Sequence, residues 1–435
     1  MNLLHANDQH GRYPDSWYAA TATDLAPFPP LQGAQNADVC VIGAGFTGLS
    51  AALHLAQAGY DVAVIEAHRV GWGASGRNGG QVGSGQRADQ RTLESMVGKS
   101  DARLLWDISE DAKALVKSLI DTHNIPAAWK PGIAHVTHRA KEVPDYHEEA
   151  EFMASNYGYD QIEPLDRAAT RALVGSDKFE GGSIDRGGAH IHPLNYAIGL
   201  AKAAADAGAH IYEMSEVTGL TKADPANVST DKGTVTASHV LLACNGYLGA
   251  LEDDVAARVM PINNFIATTE PLSDDAATDL IREDVAVCDA KFVLNYWRRS
   301  ADNRLVFGGG ETYGYRFPND IRALVKKPLV EIYPQMADVK LDYAWGGTLA
   351  ITVNRMPCFR RVTGNILSAS GYSGHGVAMA TMGGKLMSDV IRGQAEKFDA
   401  MARVPTHEFP GGRALRSPTL FAAMTFFALR DRLGI

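Results

Sequence analysis

The segment that most constrains this chain is Asp38-Val39-Cys40-Val41-Ile42, followed at once by Gly43-Ala44-Gly45-Phe46-Thr47-Gly48. A short apolar run predicts a strand. The residues from Phe46 to Ala58, with Leu49, Ala52, Leu53 and Ala56 on one face, predict a helix that Gly59 ends. A second apolar run, Val62-Ala63-Val64-Ile65, then leads to Glu66. Strand, helix and strand together have the size of a βαβ crossover, about thirty residues. With 43 glycines in the chain, a GxGxxG spacing alone carries little weight. Between a strand and a helix, with an acid closing the next strand, it reads as a dinucleotide fingerprint. Gly43 serves the tight turn, Gly45 lets the backbone approach a pyrophosphate, and Gly48 lets the helix pack against the strands. The phosphates would rest on the helix N-terminus, and Glu66 would accept hydrogen bonds from the adenosine ribose. An acid at that position repels a 2′-phosphate, which disfavours NADP.

The chain has 435 residues, 46% of them hydrophobic, enough for two domains or one large domain with insertions. Acidic residues outnumber basic ones by 50 to 41, a net charge of −9, which argues against bulk binding to nucleic acid or anionic membrane. The four cysteines (Cys40, Cys244, Cys288 and Cys358) are far apart and include no CxxC pair. A reduced, cytoplasmic protein without a disulfide framework or metal site is expected. Residues 1–18 lack the apolar core of a secretory signal. The uncharged stretch from Ser417 to Leu429 is shorter than the roughly 20 residues a bilayer span needs, and reads as a packed terminal helix.

The pattern along the chain suggests an arm at 1–35 and an α/β domain assembled from 36–90, 181–250 and 346–395. A substrate domain would be grown from 91–180 and 251–345, with a tail at 396–435. Between 260 and 345 the strand-like runs Asn264–Thr269, Lys291–Trp297, Arg304–Phe307 and Lys340–Trp345 do not alternate with helices, which predicts antiparallel pairing. The fold class is therefore a discontinuous Rossmann-like α/β domain with a second α+β domain on a large antiparallel sheet.

Two further glycine-rich segments fit a flat ligand. Gly71-Trp72-Gly73-Ala74-Ser75-Gly76-Arg77-Asn78-Gly79-Gly80-Gln81 follows the ribose-binding strand, with Ser75, Arg77, Asn78 and Gln81 as polar tips. Gly371-Tyr372-Ser373-Gly374-His375-Gly376 lies between the last strand and the last helix, where backbone N–H groups and a positive helix end face a ligand.

With the Gly43–Gly48 fingerprint and Glu66, these loops resemble the D-amino-acid-oxidase-type FAD oxidoreductases. Narrower segments extend the resemblance over nearly the whole chain, toward the branch of that family acting on gamma-glutamylputrescine. They are Gly188-Ala189-His190-Ile191-His192-Pro193-Leu194-Asn195, Ala301-Asp302-Asn303-Arg304-Leu305, and Phe409-Pro410-Gly411-Gly412-Arg413 with Leu429-Arg430-Asp431-Arg432-Leu433.

The resemblance implies FAD extended along the α/β domain, with its ring facing the substrate-domain sheet. Gly43 to Gly48 would hold the pyrophosphate, Glu66 and Ala67 the ribose, and Val217 the adenine through its backbone. Ser75, Arg77, Asn78, Gly79, Gly80 and Gln81 on one side and Gly374, His375, Gly376 and Val377 on the other would border the flavin. Monomeric sarcosine oxidases of that family attach their flavin through a cysteine six residues before a proline. Counting back from Pro357 reaches Ile351, so the FAD should be noncovalent. The oxygen-activating lysine of sarcosine oxidases lacks an obvious counterpart, because Gly308-Gly309-Gly310 is followed by Glu311-Thr312.

The implied reaction oxidises the carbon beside an amine, with dioxygen as acceptor and peroxide as product. No catalytic residue is obligatory, since the flavin carries the electron chemistry. Tyr296, Arg298 and Tyr372 are the substrate-contact candidates, with Arg298 a partner for a substrate carboxylate. His190 and His192 read as structural. Sarcosine-type oxidation of N-methyl amino acids, amino-acid dehydrogenation with another acceptor, and a non-catalytic flavin sensor remain alternatives. A homo-oligomer is compatible with this reading.

Overall fold

The computed structural model describes residues 2–291, 293–312 and 314–410. The terminal helix expected within the tail and the motifs beyond Pro410 lie outside the described residues.

The first sheet has the order Cys358–Arg361, Ile366–Ser370, Gly233–Leu242, Gly33–Ile42, Val62–Ile65, His210–Tyr212. The last five pair in parallel, and Cys358–Arg361 closes one edge antiparallel. Two short strands, Gly219–Thr221 and Ala226–Ser229, continue from Gly233–Leu242. Where they pair, residues 39–42, 62–65 and 240–242 are apolar at every position because both faces are covered. Val39, Val41, Val62, Val64 and Leu241 pack in one core with helices Phe46–Gln57, Pro193–Asp206 and Gly376–Ile391. Cys40, Ile42, Ala63, Ile65, Val240 and Leu242 pack in another with Ala226, Val228 and Val235. The expected strand–helix–strand unit is present, with its helix at Phe46–Gln57 and its second strand at Val62–Ile65.

The second sheet has the order Leu341–Ile351, Met260–Thr269, Leu305–Thr312, Tyr296–Arg299, Ala286–Asp289, Lys130–Thr137, Gly181–His190, Gln81–Val82, with Ile162–Leu165 also on Gly181–His190. Every pairing is antiparallel except that of Ala286–Asp289 with Lys130–Thr137. One side packs Phe265, Ala267, Trp297 and Phe307 against Val325, Leu329 and Ile332 of helix Ile321–Ile332.

Several boundaries differ from expectation. Strand Gly181–His190, grouped with the first sheet on sequence, belongs to the second, and strand Leu341–Ile351 runs past residue 346 in the second sheet. The strand expected over Lys291–Trp297 is Tyr296–Arg299. The residues before it turn about Asp289, whose Oδ1 accepts from Asn295 N at 2.9 Å and Lys291 N at 3.2 Å. A carboxylate satisfying backbone donors competes there with the sheet ladder. The arm carries a short helix of its own, Trp17–Ala20, which Ser16 caps and which buries Trp17 and Tyr18. Burying two large aromatic rings outweighs the polar character of the arm.

Candidate active site

A cavity of about 1400 Å³ is lined by residues of both sheets. Pockets for single small ligands usually span about 300–1,000 Å³, so this one has room for a larger ligand and a second molecule.

One end is built on the first βα turn. Helix Phe46–Gln57 starts from Gly45 without a capping side chain on that residue, and Phe46 N donates to Ser75 Oγ at 3.0 Å. A Cβ on Gly45 would lie 2.8 Å from Ser75 Oγ, and one on Gly48 would lie 1.8 Å from Gly43 O. Gly48 thus permits the close packing expected of it, while Gly43, Gly45, Phe46 and Thr47 line the cavity. Ala44, Gly48 and Gly80 do not line it. Ala44 N donates to Glu66 Oε2 at 2.8 Å, and a Cβ on Gly80 would meet Ile191 O at 2.1 Å.

Glu66 also accepts from His68 N at 2.9 Å, and burial pushes its carboxyl up to about 7. Val217 and Ala67 line the same end. The sequence reading overlooked Asn2 and Leu4, which reach this wall from the arm. Their position depends on tertiary packing that no local pattern encodes.

Both glycine-rich loops meet farther along. Ser75, Arg77, Asn78, Gly79 and Gln81 line the cavity with Gly374, His375, Gly376 and Val377. Arg77 is buried, donates to Trp72 O at 2.6 Å and Gly346 O at 3.0 Å, pairs with Asp8 at 2.7 Å, and leaves Nη2 buried without a partner among the described residues. Asn78 ties its own loop, with Nδ2 donating to Ser75 O at 2.9 Å and Oδ1 accepting from Gly80 N at 2.8 Å. His375 Nε2 lies 3.0 Å from Gly85 O, and burial pushes its imidazole down to about 4. It is neutral at pH 7 and ties its loop to the residues just past strand Gln81–Val82.

Among the substrate-contact candidates, Tyr296 lines the cavity. Its ring is wedged so that a Cβ on Gly79 would lie 2.7 Å from it and one on Gly308 2.1 Å, and its hydroxyl donates to Asn264 Oδ1. Tyr372 also lines the cavity, but its hydroxyl is engaged with Thr47 Oγ1 at 2.8 Å. Arg298 is not among the residues that line the cavity. It is buried, with Nε donating to Gly79 O at 2.8 Å and Nη2 to Tyr18 Oη at 3.1 Å. His190 and His192 have structural partners. His190 Nε2 lies 2.9 Å from Asp284 O, and His192 Nδ1 accepts from Asn195 N at 3.1 Å.

The remaining wall carries residues the sequence reading missed: Trp106, Asp145, Tyr146, Glu149, Asp185 and the pair His135–Cys288. Asp185 accepts from Ser84 Oγ at 2.5 Å and Tyr159 Oη at 2.6 Å. Cys288 Sγ lies 3.1 Å from His135 Nδ1, and the sulfur holds that imidazole well above the ordinary range, at about 9. The period of two along Lys130–Thr137, with Ala134 and Val136 in the core, is the signal that could have turned His135 toward the cavity.

The start of helix Phe46–Gln57 and the Gly45 cradle that a Cβ would fill form a glycine-lined wall. Glu66 supplies an acceptor at the ribose position. These residues fit an adenine dinucleotide carrying a flat redox ring. Residues 38–390 match the family described as FAD dependent oxidoreductase (DAO), and the chain belongs to that family. It is an FAD-dependent oxidoreductase. The chain is 44% identical over 421 residues to the gamma-glutamylputrescine oxidoreductase of Escherichia coli (strain K12), covering 97% of this chain and 99% of that one. It is 42% identical over 418 residues to the probable oxidoreductase OrdL of Rhizobium meliloti (strain 1021), covering 96% and 97%. The fold is shared with glycine oxidase from Geobacillus kaustophilus, at a TM-score of 0.73 and 20% identity over 86% of this chain and 99% of that one. Among the described residues, no helix is long and apolar enough to cross a membrane, and no group of histidine, cysteine and acidic side chains could hold a metal.

Proposed function

We propose that the protein oxidises an amine at the carbon beside its nitrogen, acting on gamma-glutamylputrescine or a similar polyamine derivative. The observation that carries this reading is the composition of the cavity wall beyond the glycine loops. Asp145, Glu149 and Asp185 stand there with Trp106 and Tyr146, a setting that suits a flexible chain bearing amines. The similarity to a gamma-glutamylputrescine oxidoreductase along the full chain supports it.

Noncovalently bound FAD would supply the hydride acceptor. Gly43, Gly45 and the start of helix Phe46–Gln57 would hold its pyrophosphate, and Glu66 its ribose. Ser75 to Gln81 and Gly374 to Val377 would border its ring. The protein's own work is alignment. Tyr296, fixed by Asn264 and wedged against Gly79, gives the substrate a rigid surface beside the ring-binding loop. Apolar and aromatic wall residues exclude water and favour the neutral amine that the reaction requires.

The test is anaerobic addition of gamma-glutamylputrescine, putrescine, sarcosine or D-alanine to the yellow protein. Bleaching by gamma-glutamylputrescine at the lowest concentration is expected. Bleaching by sarcosine alone would replace this reading with N-methyl amino-acid oxidation. Peroxide formed on admitting air then separates dioxygen from another acceptor, and acid precipitation that leaves the flavin in solution checks noncovalent binding.

A further inference from the structure

The arm and the cofactor cavity meet in a manner the family match, which begins at residue 38, does not include. At the ribose–adenine end, Asn2 Nδ2 donates to Glu216 Oε1 at 2.7 Å, and His5 Nε2 lies 2.6 Å from Glu216 Oε2. Asn2, Leu4 and Glu216 all line the cavity there, next to Val217. Two residues beyond Glu66, His68 joins separate points of the arm. Its Nδ1 accepts from Gly11 N at 3.0 Å, which puts the ring proton on Nε2, 2.9 Å from Leu4 O. The His68 ring stacks on Trp72 with centroids 3.7 Å apart, and Trp72 Nε1 donates to Arg12 O at 2.8 Å. The Arg77 guanidinium also lies over that indole, 4.4 Å from the ring centroid, and Asp8 pairs with it at 2.7 Å. Finally, Tyr13 Oη donates to Val70 O at 2.8 Å.

Residues 2–13 therefore run from Glu216 to the ring-binding loop and are fastened along the whole way. The anchors are residues that follow the ribose-binding strand (His68, Val70, Trp72, Arg77) together with Glu216. We infer that this arm is a strap over the ribose–adenine half of the cavity, and that its release controls how fast FAD leaves and enters. The inference rests on the FAD dependence of the family and is independent of which amine is oxidised. A bound dinucleotide would have the strap as part of its wall, so the strap must detach before the adenine end can come free. The Asp8–Arg77 pair is the firmest fastening, because the guanidinium is buried and the carboxylate nearly so. Loss of Asp8 leaves a buried charge with one partner fewer.

The experiment measures FAD release from diluted holoprotein by the recovery of free-flavin fluorescence, with no amine present. A variant lacking residues 2–12, which keeps Tyr13, Trp17 and Tyr18, should release FAD at least about tenfold faster. A double variant, His5→Ala with Asp8→Asn, should fall between it and the intact chain. Circular dichroism of the stripped proteins checks that both are folded. Release within twofold of the intact protein by the folded truncation would overturn the inference. Should the truncation fail to fold, the same result from the double variant overturns it. An absence of amine turnover would leave this measurement unaffected, so failure of the proposed reaction and failure of the strap are read separately.

Discussion

Arg298 Nε donates to the carbonyl oxygen of Gly79 at 2.8 Å, joining the second sheet to the glycine loop that would border the flavin. Its Nη2 reaches Tyr18 of the arm, and Nη1 donates to Arg299 O at 3.1 Å. The guanidinium is a structural clasp between three parts of the chain. Arg298→Met should destabilise the protein by about 3 kcal/mol, since several buried acceptors lose their donor together. It should also weaken FAD binding without a selective rise in KM for the amine. Thermal unfolding and a substrate titration check both.

Gly45→Ala and Gly48→Ala should separate binding from folding. At Gly45 the new methyl meets the Ser75 side chain, whose Oγ at 2.8 Å can rotate away on giving up its bond from Phe46 N. The variant should fold but bind FAD at least about tenfold more weakly, because the methyl occupies the phosphate cradle. At Gly48 the methyl would sit 1.8 Å from a backbone carbonyl that has no freedom to move. Overpacking of that kind costs about 1–3 kcal/mol or more, and the variant should lose thermal stability even when stripped of flavin.

Glu66→Gln should weaken FAD binding by about tenfold while leaving substrate preference unchanged. The amide keeps an acceptor for Ala44 N or His68 N but surrenders the other. Glu66→Ala releases both donors and should also lower the melting temperature. Fluorescence titration of the stripped proteins with FAD checks the first effect.

Acid should destabilise the protein before most carboxylates titrate. Burial pushes His190 and His192 down to about 3, and His68 and His375 down to about 4. Unfolded histidines bind a proton near pH 6.5, so the stabilisation from keeping these four neutral is complete above that pH. It is lost as the pH falls toward 4 and then 3. Glu66, pushed up to about 7, acts in the opposite sense between about pH 4.5 and 7. His135 at about 9 and the raised carboxyls of Glu110 and Glu149 share that sign, but the four lowered histidines carry the larger combined shift. Melting temperatures measured from pH 7 to 5 should fall steadily, by an amount equivalent to several kcal/mol, of order 1 kcal/mol per group. A flat profile would show that these histidines titrate normally in the fold.

How far the site could be read ahead of the structure depended on whether the signal was local. The turn from Ile42 to Gly48 and the acid at Glu66 lie within one strand–helix–strand unit, where apolar period and glycine placement encode the geometry directly. The same holds for the loop at Gly374–Val377, pinned between a strand and a helix. Arg298 shows the limit. A basic residue near a predicted strand carries no mark saying whether it faces a ligand or a carbonyl such as Gly79 O. His135 and Asp185 reach one wall only because strands from distant parts of the chain align, and the arm docks through single side chains such as Asp8. Strand Gly181–His190 was misplaced for the same reason, since its pairing partners are separated from it in sequence.

The parallel pairing in the second sheet, alone of its kind there among the described residues, joins Ala286–Asp289 to Lys130–Thr137 and has a consequence for biosynthesis. On one side of that seam lie strands from residues 81–190, and on the other strands from 260–351. Each excursion of the chain thus holds only half a sheet, with a raw edge awaiting the other. A nascent polypeptide emerging from the ribosome cannot complete this sheet until Ile351 of its last strand has been made. Fragments cut between the two halves should therefore need each other's company to become ordered.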